Sequence, residues 1–350
     1  MELYSYSPDI AYKGVIDSFS SLRWRRRYFA PGEFELHCAA TDQNLSLLAD
    51  DNIIHRLDRA EAGIVEGIVV SETKDGDEIT ATGRFLSSEL ENRSIIATLN
   101  YSGTTEAAMR QLVSDNAITA RPISELVLGA LNNFTETCSF QVTGKTVLDV
   151  LKALAVSSTN GYRVRLDAKN RQKIFECYKG IDRSVAQKVR PYVLFSSTFN
   201  NIASPQYTLS KVGYRNFAYV AGEGEGAARK IVIVDRTNGE PRRELWVDAR
   251  DLQQGTLSDA DYAAQLTQRG NEKLDDAAKT ESFEAAAVNT NNFAYLTDWD
   301  LGDIVSFEKW GITLNQRITE IEEAYEKGVL TVTPTCGTPL PTTLDLGSDT

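Results

Sequence analysis

Between Ser20 and Ala40 the chain reads SSLRWRRRYFAPGEFELHCAA, and polar and apolar side chains alternate on both sides of Pro31-Gly32. A period of two belongs to an extended strand, whose successive side chains point to opposite faces. One face of the first strand therefore carries Leu22, Trp24, Arg26 and Tyr28, and the other carries Arg23, Arg25, Arg27 and Phe29. Beyond the turn, Phe34, Leu36 and Cys38 form the next apolar set. Such a pattern commits the start of the chain to antiparallel sheet, with an aromatic face against a core and an arginine–glutamate face on the other side.

The turn length sets the pairing. A two-residue loop, Pro31-Gly32, would set Arg27 opposite Leu36 and Arg25 opposite Cys38. A three-residue loop, Ala30-Pro31-Gly32, sets Tyr28 opposite Phe34, Arg26 opposite Leu36 and Trp24 opposite Cys38. It also sets Arg27 opposite Glu35, a cross-strand charge pair, and the hydrophobic pattern favours this register.

Arginines interleaved with aromatics would also suit a nucleic-acid groove. The 350-residue chain, however, carries a net charge of −12, which opposes phosphate binding. No stretch of about 20 apolar residues offers a membrane span. The N-terminus lacks the basic and apolar regions of a signal peptide, so use without Sec export is expected. Cys38, Cys138, Cys177 and Cys336 lie far apart without a CxxC pair, which reads as reduced thiols. With only His37 and His55, a histidine-rich metal site is excluded, and no cofactor is expected.

Strand patterns fill the first hundred residues, with turns at Ser7-Pro8-Asp9 and Asp75-Gly76. A helix opens at Thr104-Thr105-Glu106 with Met109, Leu112 and Val113 on one stripe, and a second spans about 145–155 with Val147, Leu148, Leu151 and Leu154. A hairpin of 162–166 and 173–178 follows. Strands return at 217–221, 231–234 and 244–247, with Asn238-Gly239 marking a further hairpin. Ser258 and Asp261 read as the cap of a helix running to about Ala278, before strands at 282–288, 304–307 and 329–333. Ile318, Ile321 and Tyr325 are spaced as on a helix, although a turn at Lys327-Gly328 and a strand follow.

Motifs suggestive of chemistry fail on their context. Gly144-Lys145-Thr146 lacks the earlier glycine of a phosphate loop and reads as a loop-to-helix junction. Gly222-Glu223-Gly224-Glu225-Gly226-Ala227 fits GxGxxA, but a strand follows it instead of a helix, and Glu223 and Glu225 would repel phosphates. It reads as a flexible loop between strands and a candidate interface loop. His37 falls on the more polar face of its strand, His55 reads as an ordinary surface histidine, and Asp298 and Asp300 as a solvated turn. No residue is put forward as catalytic.

Several short motifs together carry a family resemblance: Leu3-Tyr4, Ser21-Leu22-Arg23-Trp24, Arg26-Arg27-Tyr28 and Pro31-Gly32-Glu33-Phe34-Glu35-Leu36 near the start. Further along come Tyr178-Lys179-Gly180-Ile181-Asp182-Arg183-Ser184, Asn216-Phe217-Ala218-Tyr219-Val220-Ala221-Gly222-Glu223-Gly224 and Leu301-Gly302-Asp303-Ile304-Val305. Arg317-Ile318-Thr319-Glu320-Ile321 and Pro334-Thr335-Cys336-Gly337 complete the set. In order and spacing the chain resembles, over nearly its whole length, a family of siphophage and prophage tail proteins akin to baseplate hubs and the N-terminal hub region of tail-associated lysins.

The resemblance implies an α+β, β-rich fold with two tail-tube-like antiparallel β-barrel domains plus smaller α+β domains. The corresponding division is 1–103 for the first barrel, 104–191 for an α+β domain, 192–338 for the second barrel with a helical insert at about 251–280, and 339–350 for a polar tail. It makes the stretch 318–325 a strand. It implies a homotrimeric hub at the virion's tail tip, assembled in the bacterial host cytoplasm, with tail tube, distal tail and tip or fibre proteins as partners. Genomic DNA would pass through transiently without specific binding. Longer relatives continue into a peptidoglycan-cleaving or fibre-like segment, and since this chain stops soon after its last barrel motif, lytic activity is not carried over. Arg23, Arg25, Arg27 and Glu35 become candidate subunit-interface residues. A receptor- or glycan-binding tail component is the alternative, with a cell-wall-degrading enzyme behind it.

Overall fold

In the computed structural model, which describes residues 1–74, 76–288, 293–326 and 328–337, the alternating stretch is a pair of strands in a bent sheet. Asp75 and the expected tail at 339–350 lie outside the described residues. The sheet begins with Leu3–Tyr6 (β1) and Tyr12–Ile16 (β2), then Ser21–Arg27 (β3) and Glu33–Ala39 (β4). A short helix, Asp42–Leu47 (α1), is capped by Thr41, and Ile53–His55 (β5) follows. The long hairpin of Ala62–Thr73 (β6) and Gly76–Phe85 (β7) completes this module. Its strand order is β3-β4-β7-β6-β5-β1-β2. Leu22, Trp24, Phe34, Leu36, Cys38 and Ile79 share one core, as the alternation requires. Fully burying one large apolar side chain stabilises by about 1.5–3 kcal/mol. An exposed ion pair gives about 0–1 kcal/mol, so the core sets the register and the charges follow it.

That register differs from both turn-based expectations. Trp24 pairs with Phe34, Arg23 with Glu35 and Arg25 with Glu33, leaving residues 26–32 as the connection. The chain does not turn at Pro31-Gly32 alone because Tyr28 leaves the first module. Its ring is fully buried in another core, and its N–H donates to the Thr319 carbonyl at 2.9 Å. The shift from the expected pairing is an even number of residues, so the face of every side chain is as the alternation requires.

The middle of the chain builds a second core from Leu99–Thr104 (β8), Thr105–Val113 (α2), Leu126–Leu128 (β9), Thr137–Val142 (β10), Val147–Ser158 (α3), Gly161–Asp167 (β11) and Gln172–Tyr178 (β12). Strand β8 pairs with β10, and β12 lies between β11 and β9. Both expected helical stripes, Met109–Leu112–Val113 and Val147–Leu148–Leu151–Leu154, are buried there. Thr146 caps α3, its Oγ1 accepting from the Asp149 N–H at 3.1 Å, so Gly144-Lys145-Thr146 is the junction expected.

The remainder comprises Leu194–Ser196 (β13), Ile202–Ser210 (β14), Phe217–Ala221 (β15), Ile231–Asp235 (β16), Glu244–Asp248 (β17), Asp259–Asp276 (α4), Thr280–Ala287 (β18), Ile304–Lys309 (β19), Ile312–Glu326 (β20) and Val329–Gly337 (β21). Strands β15–β17 pack on α4 as a separate small core. Strands β16 and β17 flank β15, one antiparallel and one parallel, so Asn238-Gly239 is a turn in a crossing connection and not the expected hairpin. Ser258 Oγ accepts from the Asp261 N–H at 3.1 Å and donates to its carboxylate at 2.6 Å, which starts α4 where expected.

The segment with helical spacing is part of strand β20, as the resemblance implied. A β-bulge between Ile318 and Glu320 accounts for the spacing, since one extra residue lets Ile318 and Ile321 both face inward. Strand β20 then pairs along β3, with Glu320 opposite Arg27, Glu322 opposite Arg25 and Glu323 opposite Trp24. Through this pair the sheet runs on as β14-β18-β21-β20-β3, so two β modules share one hydrogen-bonded sheet. Among the described residues its order ends at β14 and β2 and does not close on itself. The fold is mostly β, antiparallel and α+β in class. Among the described residues no helix is long and apolar enough to cross a membrane.

Candidate functional site

Strand β3 carries four arginines, and its position at the seam between modules gives each face a different environment. On the outer face Arg25 Nη1 donates to Glu33 Oε1 at 2.8 Å and Nε to Glu322 at 3.2 Å. Arg27 Nε donates to Glu320 at 3.0 Å, and its Nη2 and Nη1 reach both Glu33 oxygens at 2.8 and 3.0 Å. Glu33 is thus shared by two guanidiniums, while β20 supplies the rest. Glu284 on β18 lies nearby, and burial together with the negative charge of Glu320 raises its carboxyl above the usual range.

Glu35, the expected partner of Arg27, lies opposite Arg23 and accepts from His37 Nε2 at 3.0 Å. Arg23 is exposed, and Glu35 is partly exposed. His37 sits on the polar face as expected, its second ring nitrogen 3.2 Å from Thr80 Oγ1. Period two had placed the right residue types on this face, and the four-residue shift in register changed which carboxylate each arginine meets.

The inner face holds a charge that alternation alone does not explain. Arg26 is 3% exposed and donates to Glu61 at 3.0 Å, to Asp300 at 2.6 Å and to the Tyr295 hydroxyl at 2.9 Å. Asp300 is therefore part of a mostly buried network and not simply a residue of a solvated turn. Tyr295 donates in turn to Glu323 at 2.9 Å, which also receives Arg56 Nη1 at 2.9 Å and Arg59 Nε at 2.7 Å. Glu61 extends the set toward Arg163 on β11 at 3.6 Å. Burial alone would raise the Glu61 carboxyl, but Arg26 and Arg163 hold it below the usual carboxylate range. Buried charges persist only when paired, and each of these meets an opposite charge, although Glu61 receives its hydrogen bonds on Oε1 alone. The network ties β3, the connection before β6, β11, β20 and the 293–300 loop together at the point where three cores meet.

His55 belongs to this region and is buried, not a surface residue. Its Nε2–H donates to the Arg59 carbonyl at 3.0 Å, and burial lowers its pKa. The sequence signal for the cluster was the run Arg56-Leu57-Asp58-Arg59, whose charge density looks like a solvated turn until Glu323 is found against it.

Gly222, Glu223, Gly224, Glu225 and Gly226 form the connection between β15 and β16, without a long helix, which removes the dinucleotide reading. The segment is anchored: Glu223 N–H donates to the Tyr262 hydroxyl at 2.7 Å, and Arg229 Nε to the Gly222 carbonyl at 3.0 Å. A side chain at 222 would strike Tyr262, which accounts for the first glycine. All four cysteines are buried free thiols.

Comparison with known proteins agrees over the full described length. A structure of the tail protein from Neisseria meningitidis MC58 superposes with a TM-score of 0.61 at 14% identity, covering 96% of this chain and 95% of that one. The 43 kDa tail protein of prophage MuSo2 from Shewanella oneidensis gives 0.60 at 12% identity, covering 97% and 99%. Prophage tail protein gp18 from Listeria monocytogenes EGD-e gives 0.59 at 11% identity, covering 98% and 96%. No curated protein matches the chain in sequence. The model of the siphovirus ReqiPepy6 Gp37-like protein family matches residues 1–338, and the chain belongs to that family.

Proposed function

We propose that this tail protein is a structural, non-enzymatic hub: a homotrimer at the tail tip that joins the tail tube to the distal tip and forms part of the DNA-ejection channel. The observation that carries the reading is the β3–β20 seam. One subunit holds two β modules side by side on a continuous sheet, so three subunits present six modules to a hexameric tube. A buried ionic joint between modules fixes their relative angle, as a load-transmitting ring needs. A chain of net charge −12 does not grip passing phosphates, which suits a channel. The division at residues 103 and 191 belongs to this proposal; the core of residues 193–336, which Tyr28 joins, supports the second boundary, while Tyr6, Ile53, Ile64 and Leu86 share the core of the middle segment across the first.

Arg23 and Glu35 are the outer-face residues best placed for a neighbouring subunit. Arg25 and Arg27 would meet it with their own glutamates already in place, and the 222–226 loop is the second candidate contact. Mass by light scattering tests the reading, with about three times 38.7 kDa expected, alongside ring-shaped particles in electron micrographs. A stable monomer that cleaves cell-wall material, and loses that activity on one Asp or Glu substitution, refutes it.

A further inference from the structure

A groove of about 930 Å³ opens between the outer face of β3, β20, β18 and β21 and the ends of α3 and α4. Carboxylates outnumber cations along it seven to three. Two of the cations, Arg25 and Arg27, are already matched by Glu33, Glu320 and Glu322. The helices add Asp149, Glu272, Asp275 and Asp276. Arg236 and Lys273 answer Asp275 and Asp276 from outside the groove. Lys152 and Arg269 lie only at the outer limit of an ion pair from Asp149 and Glu272, at 3.9 and 4.0 Å, and Glu272 and Glu284 are both held above the usual carboxyl range, first by burial. Phe29, Ala30, Ala153 and Val156 give the same groove an apolar side. Its occupant should therefore be cationic and carry an apolar side chain.

The chain displays such a segment elsewhere. Residues 188–192, Lys-Val-Arg-Pro-Tyr, are all exposed, Val189 at 86%. The loop is held in shape by one side chain. Gln187 Oε1 accepts the N–H of Val189 and of Arg190 at 2.8 Å each, and its Nε2 donates to the carbonyls of Ser184 and Arg190 at 3.1 and 2.9 Å. That side chain fixes three backbone groups of the loop, so exposed Lys188, Val189 and Arg190 have less ordering left to lose on binding. Neither Lys188 nor Arg190 forms an ion pair among the described residues.

We propose that the groove of one subunit receives the 188–192 loop of a second copy, with Lys188 and Arg190 meeting its carboxylates and Val189 its apolar side. The proposal rests on the trimer reading and specifies how that trimer closes: a patch meets a different patch, the heterologous contact that generates a ring. Charge complementarity of this kind fixes partner and register.

The test mixes two single-cysteine variants, Val189→Cys and Ala278→Cys, the latter exposed on the groove wall and the native thiols being buried. Under mild oxidation a disulfide between copies is expected in the mixture and in the double variant. The pair K188E/R190E should raise the concentration for half-assembly on the order of tenfold or more, and D149K/D276K in the same chain should restore it. A trimer of unchanged strength in K188E/R190E, with no 189–278 adduct, overturns the groove contact and leaves the trimer standing. A wild-type chain that is monomeric at every concentration reached overturns both.

Discussion

Glu323→Gln is the substitution that most directly probes the joint between modules. The Glu323 carboxylate is 1% exposed and accepts from Arg56, Arg59 and Tyr295. An amide of the same shape removes the charge and turns one acceptor into a donor facing guanidinium N–H groups. The carboxylate left to the two arginines is Asp58, whose side chain is 57% exposed. Breaking a buried pair from one side costs about 3–5 kcal/mol, because the other charge stays buried. Glu322→Gln is the matched control, one residue along the same strand on the outer face, with a 28% exposed side chain. Its loss should cost about 0–1 kcal/mol. Urea denaturation followed by tryptophan fluorescence measures both, the midpoint falling in proportion at constant slope. Because the 56–59 turn belongs to the first module and β20 to the second, E323Q should also begin to separate one transition into two. Midpoints for E323Q and E322Q that agree within about 1 kcal/mol would refute a joint held by buried charge. A triple replacement of Arg56, Arg59 and Glu323 by Met, Met and Leu should recover most of the loss, since well-packed apolar groups often match a buried ionic set.

Gly302 has φ +91, and an added Cβ would lie 2.2 Å from the Tyr28 ring, so Gly302→Ala should destabilise by more than about 1 kcal/mol, measured by thermal denaturation. Ser258→Ala removes the cap of α4 and should cost about 1 kcal/mol, read as faster amide exchange confined to the first turn of that helix. His55 gives a pH effect of defined sign. Burial lowers its folded pKa below the usual 6.5, so the unfolded chain binds the proton first. Its contribution is complete above about pH 6.5 and is lost as pH falls through the interval down to the folded pKa. Stability plotted against pH should be less steep in this window for His55→Asn than for the wild type, and identical slopes would contradict a buried neutral imidazole.

Much of the fold was legible because period two and period 3.6 are local signals. Leu22, Trp24, Phe34 and Leu36 showed which face of β3 and β4 is buried, and Val147, Leu148, Leu151 and Leu154 showed the stripe of α3. What escaped was set by contacts distant in sequence. The 26–32 connection follows from Tyr28 seeking a core whose other members lie between residues 193 and 336. Ile318 and Ile321 looked helical because a bulge mimics an i, i+3 spacing, and only pairing with β21 and β3 reveals the strand. Asn238-Gly239 signalled a tight turn correctly, with φ of 47° and 88°, but a turn signal does not say which strands it will join. Arg27 was set against Glu35 for the same reason: Glu320 and Glu322, which meet Arg27 and Arg25, arrive almost three hundred residues later.

The two faces of β3 therefore serve different purposes, and their energetics separate them. On the outer face the side chains of Arg25 and Arg27 are about a quarter exposed, so their glutamates add little to folding and leave a charged surface for a neighbour to read. Arg26 is on the inner face, where a leucine would pack as well and need no partner. An arginine there is tolerable only if Glu61, Asp300 and Tyr295 all arrive, and they come from different modules. A misdocked pair of modules would strand that charge, at a cost of several kcal/mol. The buried guanidinium thus penalises wrong module angles more than it stabilises the right one, and the proposed hub, whose modules would have to match a ring, is where such a penalty would be useful.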